Sequence, residues 1–141
     1  MYASVAELQR RIGDVYAELY VTAQGQAMTD EAGDDLAAAS AEIDGACGMR
    51  YTVPVASAQA LPLLKSWCLT LAEELAWARS GRNTPDGVKE RVKAVRELLS
   101  KVAEGKFSLA GAEVPGTEAN GGIALVECEP PVFGRSRMKG L

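Results

Sequence analysis

Ala60-Leu61-Pro62-Leu63-Leu64-Lys65-Ser66-Trp67-Cys68-Leu69-Thr70-Leu71-Ala72-Glu73-Glu74-Leu75-Ala76-Trp77-Ala78-Arg79-Ser80 is the stretch that decides the fold. Within it Leu61, Leu64, Cys68, Leu71, Leu75 and Ala78 recur alternately three and four residues apart, which places them along one face of an α-helix. Leu63, Trp67 and Trp77 widen that face, so the segment reads as a central core helix, ~30 Å long at ~1.5 Å per residue. Gly81 ends it.

Working outward, Asn83-Thr84-Pro85 introduces a second amphipathic segment that runs to about Glu104, with Val88, Val92, Val95, Leu98, Leu99 and Val102 on its apolar face and Gly105 as its stop. Upstream, Ala32, Leu36, Ala39, Ile43 and Cys47 form another helical stripe. Thr29 or Asp30 is the expected cap, Glu31, Asp34 and Asp35 sit where the helix dipole favours anions, and Gly48 is the expected end. Between these helices, Arg50-Tyr51-Thr52-Val53-Pro54-Val55 is β-branched and contains proline, and reads as an extended connector. At the start, Ser4-Val5-Ala6-Glu7 is a capping box for a short helix to about Ile12. Gly13 interrupts the pattern, Val15, Tyr16, Leu19 and Tyr20 resume it, and residues 22–26 read as a polar loop.

The fold expected is therefore mainly α: a compact bundle of about four to five helices over residues 1–106. A long non-helical C-terminal arm, residues 107–141, follows as a partner-docking element. Residues 111–115 and 123–129 are short strand-like segments, separated by Pro115-Gly116 and by the turn sequence Asn120-Gly121-Gly122. An isolated hairpin is marginal in water, and an arm of this length costs too much entropy to order on its own, so both features call for a partner that supplies contacts. The arm closes on Phe133-Gly134-Arg135-Ser136-Arg137-Met138-Lys139-Gly140-Leu141. Phe133, Arg135, Arg137, Met138 and Lys139 combine apolar anchors with planar and cationic donors, the composition of an interaction peptide; a disordered end is the plainer reading.

Composition narrows the chemistry. Apolar residues make up 48% of the 141 and charged residues 24%, which is ordinary globular usage. No apolar run approaches the ~20 residues that span a bilayer and no cationic leader precedes an apolar segment, so a soluble protein made in a cytoplasm is expected, with no membrane partner. The chain has no histidine, the residue best suited to proton transfer near neutral pH and the usual partner of a Ser or Cys nucleophile. Cys47, Cys68 and Cys128 are far apart and lack Cys-x-x-Cys spacing, so no metal site is expected. Glu73-Glu74 and Asp34-Asp35 are helical neighbours ~100° apart and do not converge as an acid/base pair. No calcium loop or phosphate-binding loop is present, and catalytic residues and cofactors are expected to be absent.

Charge is uneven along the chain, with a net of -4. Asp14, Glu18, Asp30, Glu31, Asp34, Asp35, Glu42 and Asp44 fall in a stretch, residues 12–49, that holds no Lys or Arg. Basic residues outnumber acidic ones over residues 87–106, where Lys89, Lys93 and Arg96 recur at i, i+4 and i+7. A solvated face, supported by an i, i+4 pair between Glu97 and Lys101, is the plain reading of that stripe. The functional one is weak, sequence-blind contact with double-stranded DNA. Opposite patches on identical copies can also meet head to tail and close a ring.

Met1-Tyr2-Ala3-Ser4 with Leu8 and Arg11-Ile12-Gly13, Ala41-Glu42-Ile43-Asp44-Gly45 leading to residues 50–55, and the ending Arg137-Met138-Lys139-Gly140 together resemble the small structural proteins of Mu-like phages and prophages. These are encoded among head and neck genes and are related in fold to head-tail connector, or head-completion, adaptors. The resemblance implies a virion protein of the neck, at the head-tail interface. It also implies a homo-oligomer, usually a dodecameric ring, that sits beneath the portal protein, bridges it to a tail or stopper protein and forms part of the DNA exit channel. In such adaptors the C-terminal segment grips the portal. The alternative from another class is a host-side regulatory or DNA-binding helical module, whose sign would be sequence-dependent DNA binding; the acidic balance argues against it.

Overall fold

A computed structural model of the chain describes residues 1–22 and 24–115, and over them the protein is mainly helical. In chain order it has α1 (Val5–Ile12), a 3-10 turn (Gly13–Val15), α2 (Tyr16–Leu19), α3 (Thr29–Cys47), α4 (Leu61–Ser80) and α5 (Asp86–Ala103). The capping box forms as expected: the Glu7 amide donates to Ser4 Oγ at 3.3 Å and the Ser4 amide donates to Glu7 Oε2 at 2.9 Å. At the start of α3 the expectation fails. Met28 occupies the cap position with no side-chain bond, and its amide instead donates to the Tyr20 carbonyl at 2.9 Å. The entry is fixed by the preceding turn, in which the amides of Gln24 and Gln26 both donate to Thr22 Oγ1.

α4 lies at the centre, packed by α1, α2, α3 and α5. The α3 stripe predicted from sequence is wholly buried, from Ala32 to Cys47. The α4 stripe needs correction. Leu64, Trp67, Cys68 and Leu71 are buried, but Leu61 and Leu63 remain 36% and 37% exposed, Ala78 is exposed, and Leu75 and Trp77 are half-buried. Leu69, Thr70, Ala72, Glu73 and Ala76 are buried in addition. A helix contacted from several sides buries its middle all round and leaves its ends exposed, which one stripe does not describe. α5 buries Val88, Val92, Val95, Leu99 and Val102, with Leu98 half-buried.

Residues 111–115 are not a strand, and among the described residues β pairing is limited to one isolated bridge between Val21 and Ala27. The strand-like segment at 123–129 lies outside the described residues. Residues 107–115 follow the body closely: Leu109 is buried in the core, and Phe107 and Ala112 pack against it. No helix among the described residues is long and apolar enough to cross a membrane.

The acidic and basic parts of the sequence meet within one chain. Asp35, only 3% exposed, accepts from the Tyr20 hydroxyl at 2.7 Å and from the Arg79 guanidinium. Glu42 accepts from Arg96 at 2.9 Å, Glu18 pairs with Arg82, and Asp44 accepts from the Tyr2 hydroxyl. Buried Glu73 joins α1 to α4 and α5 through Arg11 and Arg91, at 3.4 and 3.1 Å. Asp14, Asp30 and Asp34 stay on the surface.

Burial, reinforced by the neighbouring carboxylates Asp44 and Asp35, pushes the Tyr2 and Tyr20 phenols well above their usual range. The unfolded phenols lose their protons near pH ~10 while the folded ones keep theirs, so above that pH the unfolded state binds fewer protons and stability falls as pH rises. The urea midpoint is expected to be level through pH 8–9 and to decline above pH ~10. The Tyr2→Phe/Tyr20→Phe double variant should show a shallower decline, and equal slopes would contradict this assignment.

Candidate functional site

Three stretches distant in sequence meet at the Tyr2 side chain. Its hydroxyl donates to Asp44 of α3 and accepts from the Val55 amide at 2.9 Å, while its own amide donates to Ser40 Oγ at 3.2 Å. Tyr2 thereby ties the N-terminus and α3 to the connector at residues 50–55. Beside it, the Cys68 thiol lies 3.4 Å from Ser40 Oγ. Cys47 and Cys68 are free and buried, and burial pushes the Cys47 thiol up to about 11, so neither presents a reactive thiolate near neutral pH. Cys128 lies outside the described residues.

The same connector clasps the root of the C-terminal arm. Arg50 Nη2 donates to the Glu104 carbonyl at 3.0 Å, where α5 ends and its last carbonyls lack helical partners. The guanidinium covers Gly105, whose φ is +80°. The amides of Lys106 and Phe107 both return to the Lys101 carbonyl, at 2.8 and 3.1 Å, which turns the chain off the helix axis. Phe107 then sets its ring 6.1 Å from that of Trp67. The Tyr51 hydroxyl accepts from the Leu109 amide at 3.1 Å, Ser57 Oγ donates to the Ala110 carbonyl at 2.6 Å, and the Thr52 amide donates to the Glu113 carbonyl at 2.8 Å. Residues 110–113 therefore run back along 57–52 in the opposite direction. Gly111, at φ +69°, fits because a Cβ there would lie 2.7 Å from Ser57 Oγ.

Gly105→Ala forces a side chain into a left-handed conformation and 2.5 Å from Arg50 Nη2. The expected loss is about 1–2 kcal/mol in urea unfolding, the usual penalty of that backbone region, with Arg50 displaced from its carbonyl. A change below ~0.5 kcal/mol, the range of neutral surface substitutions, would contradict the clasp.

On the opposite flank, the basic stripe of α5 is partly answered by acids. Arg96 is held between Glu42 of α3 and Glu74 of α4, at 2.9 and 2.8 Å, and both carboxylates raise its pKa further. Lys89 approaches Asp86 at 3.5 Å in an exposed pair, whereas Lys93 is exposed and has no ion pair among the described residues. Glu97 and Lys101 are not within ion-pairing distance of each other, contrary to the pairing read from their spacing. A shallow groove of about 500 Å³ follows this face, lined by Glu74, Lys89, Val92, Lys93, Arg96 and Glu97. Two carboxylates balance Arg96, Asp86 approaches Lys89 and Glu97 also lines the groove, so the face carries little net positive charge.

The structure thus brings Lys89, Lys93 and Arg96 to one face. Phe133, Arg135, Arg137, Met138 and Lys139 lie outside the described residues. Sequence reasoning missed the clasp: Arg50, Tyr51, Thr52 and Ser57 carry no periodic signal, although the positive charge of Arg50 just after a helix stop was a cue for carbonyl capping. Among the described residues no three His, Cys, Asp or Glu side chains converge as metal ligands.

Compared with known families, residues 2–127 match the family described as Bacteriophage Mu, Gp36. Comparison with curated proteins gave no match.

Proposed function

The chain belongs to the Bacteriophage Mu Gp36 family, and from that premise we propose that it is a structural protein of the phage particle, a non-catalytic head-tail adaptor in the neck. In this reading copies assemble as a ring, dodecameric by analogy with related adaptors, under the portal protein and carry the tail or stopper protein below. DNA passes through the lumen. The arm grips the portal through Phe133, Arg135, Arg137, Met138 and Lys139.

The observation that carries the proposal is the clasped arm root. Four contacts from residues 50–57, together with the burial of Leu109, fix where the chain leaves the bundle. Anchoring of residues 105–113 fixes the place from which the following segment starts, which limits the space it must search to meet a partner. Proteomic analysis of purified virions from a knockout and its complemented parent tests the role. The adaptor reading expects the protein in complete particles and, in the knockout, filled heads that fail to join tails. Normal particles lacking the protein would refute it.

In the assembled ring, the α5 face with Lys89 and Lys93 lines the DNA path, and Arg96 holds that face together. Lys89→Glu/Lys93→Glu should therefore preserve folding and particle number while lowering infectious titre through faulty DNA retention or ejection. Arg96 is spared in this test, because Arg96→Glu would set a third carboxylate beside Glu42 and Glu74. An unchanged titre would reduce the stripe to a solvated surface.

A further inference from the structure

Among the described residues, Glu73 is the carboxylate that two guanidiniums share. Arg11 of α1 donates from Nε to Glu73 at 3.4 Å and from Nη2 to Thr70 Oγ1 at 2.9 Å. Arg91 of α5 donates from Nη2 to both Glu73 oxygens, at 3.1 and 3.2 Å. Two cations on one acid leave a net positive charge, and the Arg91 side chain is 51% exposed. Nη1 of Arg11, and Nε and Nη1 of Arg91, have no hydrogen-bond partner among the described residues. Planar donors left free beside a surplus charge fit a carboxylate.

This pair lies on the side of α4 turned from α3. Cys68 faces α3, with its thiol 3.4 Å from Ser40 Oγ and 3.7 Å from the Leu36 carbonyl. At ~100° per residue, Thr70 and Glu73 stand ~200° and ~140° round the helix from it. On the far side of the bundle, α3 exposes Asp30, Asp34, Ala37, Ala38 and Ala41, which fall within an arc of ~100°. Neither aspartate has an ion pair among the described residues, and the alanines that continue the face leave it flat enough for close approach. Set on opposite sides of the bundle, the acidic and basic groups cannot meet within one chain.

We propose that the occupant of the Arg11 and Arg91 surface is a second copy of this chain, docked through Asp30 and Asp34 of its α3. Charge complementarity between two different patches makes the contact head to tail, the kind that closes a ring when the rotation allows. Only that closure rests on the adaptor reading; the contact itself is a property of the chain in solution.

Sedimentation of the whole protein at low ionic strength and high concentration tests it. The wild type is expected to self-associate, and added salt to reverse the association. Arg91→Ala leaves Glu73 its bond from Arg11, and Asp30→Ala/Asp34→Ala changes only exposed side chains, so both variants should keep their helical content. Each alone should associate at least ~10-fold more weakly, the change that ~1.4 kcal/mol makes. Mixed, the two variants retain one intact patch apiece and should form a one-to-one complex that grows no further, an outcome that general destabilisation would not produce. Variants that associate like the wild type, or a mixture that stays monomeric, would overturn the pairing. A monomeric wild type would overturn it too, while portal capture would still decide the adaptor role; particles that lack the protein would refute that role and leave the contact in solution standing.

Discussion

Removing residues 116–141 is expected to leave the helical body folded, with unchanged helical circular dichroism and a cooperative unfolding transition, and to abolish capture of the portal protein. The position of the cut matters. Leu109 is 4% exposed within the core and Phe107 packs on Trp67, so ending the chain after Ser108 would strip a buried leucine together with the bonds from Tyr51, Thr52 and Ser57. A large-to-small change at a buried leucine alone costs about 2–5 kcal/mol, and loss of binding in that shorter chain would report unfolding as readily as a missing anchor. Cutting after Pro115 keeps the clasp whole. A single aromatic anchor at ~2 kcal/mol corresponds to roughly 30-fold in affinity, so Phe133→Ala should weaken portal binding by about that factor while the truncation removes it. Full binding by the truncated chain would assign the portal contact to the helical body instead.

Asp35→Ala is expected to be the most damaging single substitution away from the arm. Its carboxylate accepts from the Tyr20 hydroxyl and from Arg79, and Tyr20 itself is only 2% exposed. Deleting the acceptor leaves a buried phenol and a guanidinium without their partner. Breaking a fully buried pair costs about 3–5 kcal/mol, but the Arg79 side chain is 36% exposed and can turn to water, which lowers the expected loss to ~2–4 kcal/mol. That is a large share of the ~5–15 kcal/mol by which domains are stable, so the variant should unfold at markedly lower urea. Arg82→Ala makes the comparison: it removes an exposed pair with Glu18 and should cost below ~1 kcal/mol. Equal effects from the two changes would show that burial of Asp35 contributes little.

Much of the helical body is legible in the sequence because its signals are local. The capping box at Ser4 and Glu7, the stops at Gly48 and Gly81, and the stripe from Ala32 to Cys47 need only neighbours within a turn or two. The stripe on α4 reads less well, since periodicity describes one packed face and this helix is enclosed on several. What joins the elements is not legible in this way. Arg96 meets Glu42 across 54 residues, Arg11 meets Glu73 across 62, and Tyr2 reaches Val55 across 53. Such pairs are chosen by the way the helices pack, and a charge count along the chain separates as two patches what the fold brings together. Phe107 and Leu109 are similarly hidden: two apolar residues after a helix stop look like the start of an arm until Trp67 and Tyr51 are seen beside them. The resemblance among residues 1–4, 41–45 and 50–55 acquires a physical sense here, because Tyr2, Asp44 and Val55 meet at one hydroxyl.

The adaptor role is tested most directly by co-expressing the chain with the portal protein of the same phage genome, purifying the portal and imaging the product by negative stain. The prediction is a ring of this protein stacked on one face of the portal, lost when residues 116–141 are removed. Portals without added density, with this protein recovered free, would contradict it.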